Sequence, residues 1–275
     1  METIGSGATN AETARLAVWS YALDSSKHSL VAMRIAVLSD VHAHADAFEA
    51  ALAAARIEGF DAMLILGDLL TYGVAPQRTL DLTRNALDRD GAVLILGNHD
   101  QLYLDLEGVG SSYSASLPDW IRESIDWTRD QLVGSLADRE FAWRKSWESG
   151  RLFAAHANPY PYGDWTYLSS SAEVNRAAQA LAEGGHRWGL FGHTHRFLHQ
   201  TSADGLTVIA TVGSLGQPRD PAMCISQWAM VTVSDSSFEI MPRAVPCDWR
   251  SHMAAIEATS LSKATQERLC RFFWR

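Results

Sequence analysis

The sequence predicts an α/β fold with a mixed sheet, on three observations. Short apolar runs alternate with segments of helical period between residues 34 and 191; each run breaks abruptly into polar residues; and after Gly205 the chain turns to β-rich runs with no helix between them. In order, "RIAVLS" (34–39) reads as a strand, followed by "DAFEAALAAARIEG", where Phe48, Leu52 and Ala55 recur at helical spacing and Gly59 is a natural stop. "AMLIL" (62–66) precedes "PQRTLDLTRNAL", whose Pro76 suits a first helical turn. "AVLIL" (92–96) is the third strand, and its ending in "GNHD" taken alone reads as a turn. "PDWIRESIDWTRDQL" places Ile121, Ile125, Thr128 and Leu132 along one helical face. "RLFAA" (151–155) and "RWGLF" (187–191) flank a helix over 171–183, and "TVIATV", "AMVTV" and "SFEIM" complete the strands.

Composition narrows the class. The 275 residues are 47% hydrophobic and 20% charged, as in an ordinary globular protein. A net charge of −9 argues against an extended nucleic-acid surface. Three dispersed cysteines form neither a metal-binding spacing nor a disulfide framework, so a reducing cytoplasm is the expected compartment. No apolar run approaches the roughly 20 residues that span a bilayer, so no membrane association is expected. Patterning begins sharply at Met33, and residues 1–32 read as an extension or a misassigned start.

The residues that follow the strands carry the functional signal. Asp40 and His42 follow the first, Asp68 the second, Asn98 and His99 the third, His156 follows "RLFAA", and His193 and His195 follow "RWGLF". Sites in open α/β sheets form at the carboxyl ends of strands, so parallel strands bring all five junctions to one edge. Turn chemistry explains any one junction, but turns do not call for the histidine found in four of them. Asp40 and His42, like His193 and His195, are two apart, and on extended chain their side chains point the same way. Two carboxylates, four imidazoles and an amide oxygen, without a thiolate, suit Mn, Fe, Zn, Ni or Co better than calcium or a structural zinc cluster. The set is too large for one metal. A shared carboxylate would build two adjacent sites, typically about 3.5–4 Å apart in two-metal hydrolases. Two dications less two carboxylates leave about +2 locally, which favours a phosphate substrate.

"SDVH", "GD", "GNHD", the lone His156 and "GHTH", in this order, resemble the signature of the calcineurin-like metallophosphoesterases. "WTRDQL", "GSLGQPRD", "VPCDW" and the tail "ATQERLCRFF" resemble its small bacterial phosphodiesterase-type branch. The resemblance implies a four-layer α/β/β/α sandwich with mixed β-sheets, a catalytic domain over 33–245 and a C-terminal helical tail over 246–275 packed on that domain. It implies that Asp40, His42 and His195 bind a first divalent metal, that Asn98, His156 and His193 bind a second, and that Asp68 bridges them. His99 would approach the phosphoryl or leaving-group oxygen, and a metal-bridging hydroxide would be the nucleophile. Three segments depart from the family pattern: Ala43 and His44 follow "DVH" in place of Gly-Asn, "GDLLTYG" has Thr71 and Tyr72 where the protein phosphatases carry Asp and Arg, and "TVGS" replaces "NPGS". The partner of His99 is therefore open.

Two weaker candidates bear on substrate. His44 could line the pocket rim or stand as an exposed helix-entry residue, and Arg219 could meet a phosphate or pair with Asp220 or another nearby carboxylate. The aromatic loop "PYPYGDWTYL" (159–168) could stack a nucleobase or anchor itself by packing. The expected function is dinuclear metal-dependent phosphoester hydrolysis, with phosphodiesters favoured over phosphomonoesters, and the expected partner a small phosphate ester or a nucleotide. The alternatives are a nucleotide or dinucleoside-polyphosphate hydrolase on the same centre and a non-catalytic protein-binding scaffold, the latter having no need of so complete a donor set. Manganese is among the expected metals; oligomeric state stays open.

Overall fold

A computed structural model describes residues 32–107, 117–134, 136, 141–220 and 224–273. The expected extension over 1–32 lies outside the described residues except for Ala32. Strand β1 (Met33–Leu38) leads through helix α1 (Ala45–Glu58) to β2 (Ala62–Ile65), and helix α2 (Pro76–Asp90) leads to β3 (Val93–Leu94). These three strands run parallel, while β9 (Ser226–Val233) and β10 (Phe238–Val245) add antiparallel neighbours in the order β10-β9-β1-β2-β3. The second sheet has the order β4-β5-β6-β8-β7, from β4 (Ser146–Ser149), β5 (Leu152–Ala155), β6 (Trp188–Phe191), β7 (Phe197–Thr201) and β8 (Val208–Val212). Its β5, β6 and β8 are parallel, and its outer strands are antiparallel.

Period-two alternation builds the layers. Ile35, Val37 and Leu64 join Leu152, Ala154, Leu190 and Val212 in a core between the two sheets. Ala36, Leu38, Met63 and Ile65 face the other way, against Phe48 and Leu52 of α1 and Leu80 of α2. On the far side, helix α5 (Ser171–Glu183) lays Val174, Ala177 and Leu181 over Phe191 and Ile209. Strands buried on both faces explain why their sequences are continuous apolar runs. Each fully buried Leu, Ile or Phe contributes about 1.5–3 kcal/mol. The result is the expected four-layer α/β/β/α sandwich with two mixed sheets.

Some elements differ from expectation. Of the run over 92–96 only Val93–Leu94 is strand, and Ile95 and Leu96 continue it through a bridge to the segment at Arg144. "GNHD" is no simple turn, because helix α3 (Asn98–Glu107) begins at Asn98. Helix α4 (Asp119–Asp130) stops before Leu132. Helices α6 (Trp249–Glu257) and α7 (Lys263–Cys270) place Ile256, Leu261, Leu269 and Phe273 in one apolar cluster with Tyr72, to which Trp120 also packs. The tail therefore lies against the segment that follows Asp68.

Candidate metal centre

All seven expected donors converge, from the carboxyl ends of strands in both sheets rather than along one edge: β1, β2 and β3 supply the first four, β5 and β6 the last three. Asp40, His42, Asp68 and His195 form one buried cluster, and Asp68, His156 and His193 form another. Asp68 belongs to both. Its Oδ2 lies 3.8 Å from His42 Nε2 and 3.4 Å from His156 Nε2. Asp40 Oδ1 is 3.3 Å from His195 Nε2, and the amide oxygen of Asn98 is 3.1 Å from His156 Nε2.

The local backbone differs from the extended reading. Asp40, His42, Asp68, His193 and His195 all have positive φ, between 46° and 62°. Left-handed backbone disfavours residues with a Cβ, by roughly 1–2 kcal/mol each. Here main-chain bonds hold it: the amides of Asp40, His42 and Ala43 donate to the carbonyls of Gly67, Asp68 and Leu69 at 3.1, 2.9 and 2.7 Å. Left-handed backbone thus turns the donors inward at the ends of β1, β2 and β6. Two glycines make room for it. A Cβ on Gly97 would lie 2.2 Å from Asp68 Oδ1, and one on Gly192 would lie 1.9 Å from Ser39 Oγ.

Each histidine is held by one ring nitrogen on a backbone carbonyl, which only accepts. Nδ1–H of His42, His156 and His195 donates to Leu70, Leu66 and Gln217, at 3.0, 2.6 and 2.8 Å. Nε2–H of His193 donates to Trp165 at 3.0 Å. Such bonds fix the tautomer and leave the opposite lone pair for a cation. The consequence is sharpest where His42 Nε2 faces His195 Nε2 at 3.0 Å. Burial holds both rings well below the usual imidazole range, helped at His42 by the neighbouring His195 and at His195 by Arg219, so both are neutral. Two unprotonated nitrogens that close repel unless a cation lies between them. His156 Nε2 faces two acceptors, Asn98 Oδ1 and Asp68 Oδ2, a contact that requires either a proton or a cation on that nitrogen. Burial would depress this ring, but the Asp68 carboxylate raises it to about 9. Burial and the charge of His156 push His193 down to about 3. Burial would raise the Asp68 carboxyl, yet His156 and His99 hold it well below the usual carboxylate range. By donor type, tautomer and charge, the two clusters fit a pair of divalent cations.

His99 is buried beside this centre. Its backbone amide donates to Asp68 Oδ1 at 2.8 Å, and its ring meets His42 edge-on at 5.3 Å. Its Nε2 lies 3.0 Å from the hydroxyl of Tyr72, while its Nδ1 is wholly buried without a hydrogen-bond partner among the described residues. Tyr72 occupies the place left open in "GDLLTYG". Its left-handed φ of 71° and the packing of Trp120 on its ring, 5.7 Å between centroids, aim the hydroxyl at His99. Asp100 also escaped the sequence reading. Its carboxyl accepts from the amides of Asp68, Leu69 and Gly97, at 2.6, 2.8 and 3.0 Å, tying the loop after β2 to the start of α3. Burial and the nearby charge of Asp68 raise it to about 7.

The exposed reading of His44 and the ion-pair reading of Arg219 require correction. His44 is buried rather than exposed: its Nδ1 accepts from the Ala47 amide as the cap of α1, and its ring stacks on His252 at 4.0 Å. A helix-entry residue it is, but one covered by the C-terminal tail. Arg219 donates not to Asp220 but to Gln217 Oε1, at 3.1 and 2.7 Å. Its charge is near enough to depress both His99 and His195. The aromatic loop anchors itself by packing, the second of its two expected roles. Asn158 ties it internally to Asp164 and Thr166, Trp165 meets His156 edge-on, and Tyr167 stacks on His193 at 4.1 Å yet stays 43% exposed.

Residues 33–197 match the family model described as calcineurin-like phosphoesterase. A metallophosphoesterase from Sphaerobacter thermophilus has a similar structure, with a TM-score of 0.68 at 23% identity, over 87% of this chain and 100% of that one. A hypothetical protein from Pyrococcus horikoshii OT3 gives 0.71 at 16% identity, over 86% and 97%. These two likenesses concern the fold. An uncharacterized protein of Methanocaldococcus jannaschii is 27% identical over 141 residues, 50% of this chain and 55% of that protein. The chain thus spans about half the length of this curated relative.

Proposed function

Because the chain belongs to the calcineurin-like phosphoesterase family, we propose that it is a phosphodiesterase dependent on two divalent cations. The observation that carries this reading is Asp68, buried and common to two clusters of ligand-type side chains. Asp40, His42 and His195 would hold one cation, Asn98, His156 and His193 the other, with Asp68 shared between them. Bound cations supply Lewis acidity toward the phosphoryl oxygens and lower the pKa of a coordinated water. The side chains do the rest. Carbonyl-anchored tautomers keep the donors aimed without rearrangement, and Arg219 adds positive charge at the edge of His99 and His195. His99, beside the centre, assists the leaving-group oxygen, and the Tyr72 hydroxyl on its Nε2 sets the ring angle. Among the described residues no helix is long and apolar enough to cross a membrane.

The test is metal analysis of the purified full chain together with hydrolysis of bis(para-nitrophenyl) phosphate under Mn, Fe, Zn, Ni and Co. Two equivalents of cation and metal-dependent turnover are expected. Asp68→Ala should lose at least one equivalent and lower turnover by about a thousandfold or more. A wild-type chain that binds no cation, or an Asp68→Ala variant with native turnover, refutes the assignment.

A further inference from the structure

Beside the metal centre lies a cavity of about 460 Å³ whose walls include Tyr167, Thr194, Arg196, Phe197 and Arg219. Three of these residues join it to the reaction site. Thr194 sits between His193 and His195, Tyr167 stacks on His193 with ring planes 24° apart, and Arg219 lies close to His99 and His195. Tyr167 is half covered by that imidazole and half open, unlike the anchoring Trp165 and Tyr162 of the same loop, which are less exposed. The two guanidinium groups are oriented by neutral oxygens: Arg196 Nε donates to the Arg219 carbonyl at 3.0 Å, and Arg219 donates to the Gln217 amide oxygen. Their forks are fixed while their charges stay available, on a chain whose net charge is −9.

An open aromatic face flanked by two cations is complementary to an aromatic ring that carries further negative charge. We propose that this cavity is a specificity subsite for the non-reacting arm of the substrate, and that this arm is a nucleoside bearing a phosphate. The base stacks on the free face of Tyr167, and the additional phosphate meets Arg196, while the scissile phosphate lies at the metal centre. The assignment rests on the phosphodiester reading above and narrows its substrate class.

The test compares two esters with the same leaving group, para-nitrophenyl thymidine 5′-phosphate and methyl para-nitrophenyl phosphate, on the metal-loaded full chain. The ratio of their kcat/KM values isolates the arm. The wild-type chain should favour the thymidine ester by about tenfold or more, the effect of one base–aromatic stack, and Tyr167→Ala should bring the ratio near one. Tyr167→Phe, which keeps the ring, should preserve it. Calorimetric titration with thymidine 3′,5′-bisphosphate gives a second readout without turnover: Tyr167→Ala and Arg196→Ala should each raise Kd by about tenfold. A wild-type ratio near one, or bisphosphate binding indifferent to both variants, overturns the subsite. If neither ester is hydrolysed, the phosphodiester reading fails, and the titration alone decides whether the cavity holds a nucleotide.

Discussion

The hydroxyl of Tyr72 and Nε2 of His99 are 3.0 Å apart, and neither residue type nor spacing announced the pair. The segment "GDLLTYG" offers a tyrosine, but its reach depends on two successive left-handed residues, Thr71 and Tyr72, at φ 74° and 71°. If Tyr72 orients His99, Tyr72→Phe should lower kcat about tenfold with little change in metal content, since one hydrogen bond to a reacting group is worth about 1.5 kcal/mol. The loss should be larger for esters with poor alkyl leaving groups than for para-nitrophenyl esters, which need less help at the departing oxygen. Steady-state kinetics across such a series would check it; an equal loss for every ester would mean that Tyr72 only supports packing. At this scale the donors Asp40, His42, Asp68, Asn98, His156, His193 and His195 were legible because each stands where an apolar run breaks. The carbonyls of Leu66, Leu70, Trp165 and Gln217 that aim the imidazoles were not, because a backbone oxygen leaves no trace in residue identity.

At the scale of elements, strands buried on both faces were easy to read, and half-exposed ones were not. Phe197–Thr201 and Ser146–Ser149 are edge strands with only partly buried side chains, so neither a continuous apolar run nor a clean alternation marks them. Helix α3 was hidden because its first residues are those of a functional motif rather than of a cap. The C-terminal helices show an element-scale consequence of their own. His252 on α6 stacks on His44 and packs edge-on against Trp249 and Phe273. Burial, with the neighbouring His44, pushes it down to about 3. An unfolded histidine titrates near 6.5. Between those values the unfolded chain binds more protons, so stability is fully present above about pH 6.5 and declines as pH falls toward 3. The slope from this one residue is about 1.4 kcal/mol per pH unit. Urea unfolding at pH 7.5 and 5.5 should show the decline, and His252→Phe should make it shallower. An unchanged slope in that variant would remove His252 as its source.

For the molecule as a whole, the decisive fact is that the seven candidate donors come from two sheets. Asp40, His42, Asp68 and Asn98 follow strands of one, and His156, His193 and His195 follow strands of the other. The sheets share an apolar core, but at the ligand end buried polar groups meet instead of hydrocarbon. Cations that bind only the folded chain stabilise it, by about 2.7 kcal/mol at a hundred times Kd. For a domain of this size that corresponds to a rise in Tm of roughly 5–10 °C. Scanning calorimetry with and without a chelator should reveal this difference, and Asp68→Ala should largely abolish it. The layered architecture was readable from alternation and from strands that share one polarity, whereas the division of those strands between two sheets was not, because pairing partners lie far apart in sequence.

The left-handed strand ends around Asp40 and His193 bear on where the fold opens first. Five such residues crowd beside two facing imidazole nitrogens, so a chain stripped of cations should lose amide-exchange protection here before elsewhere, and a chelator comparison would read it.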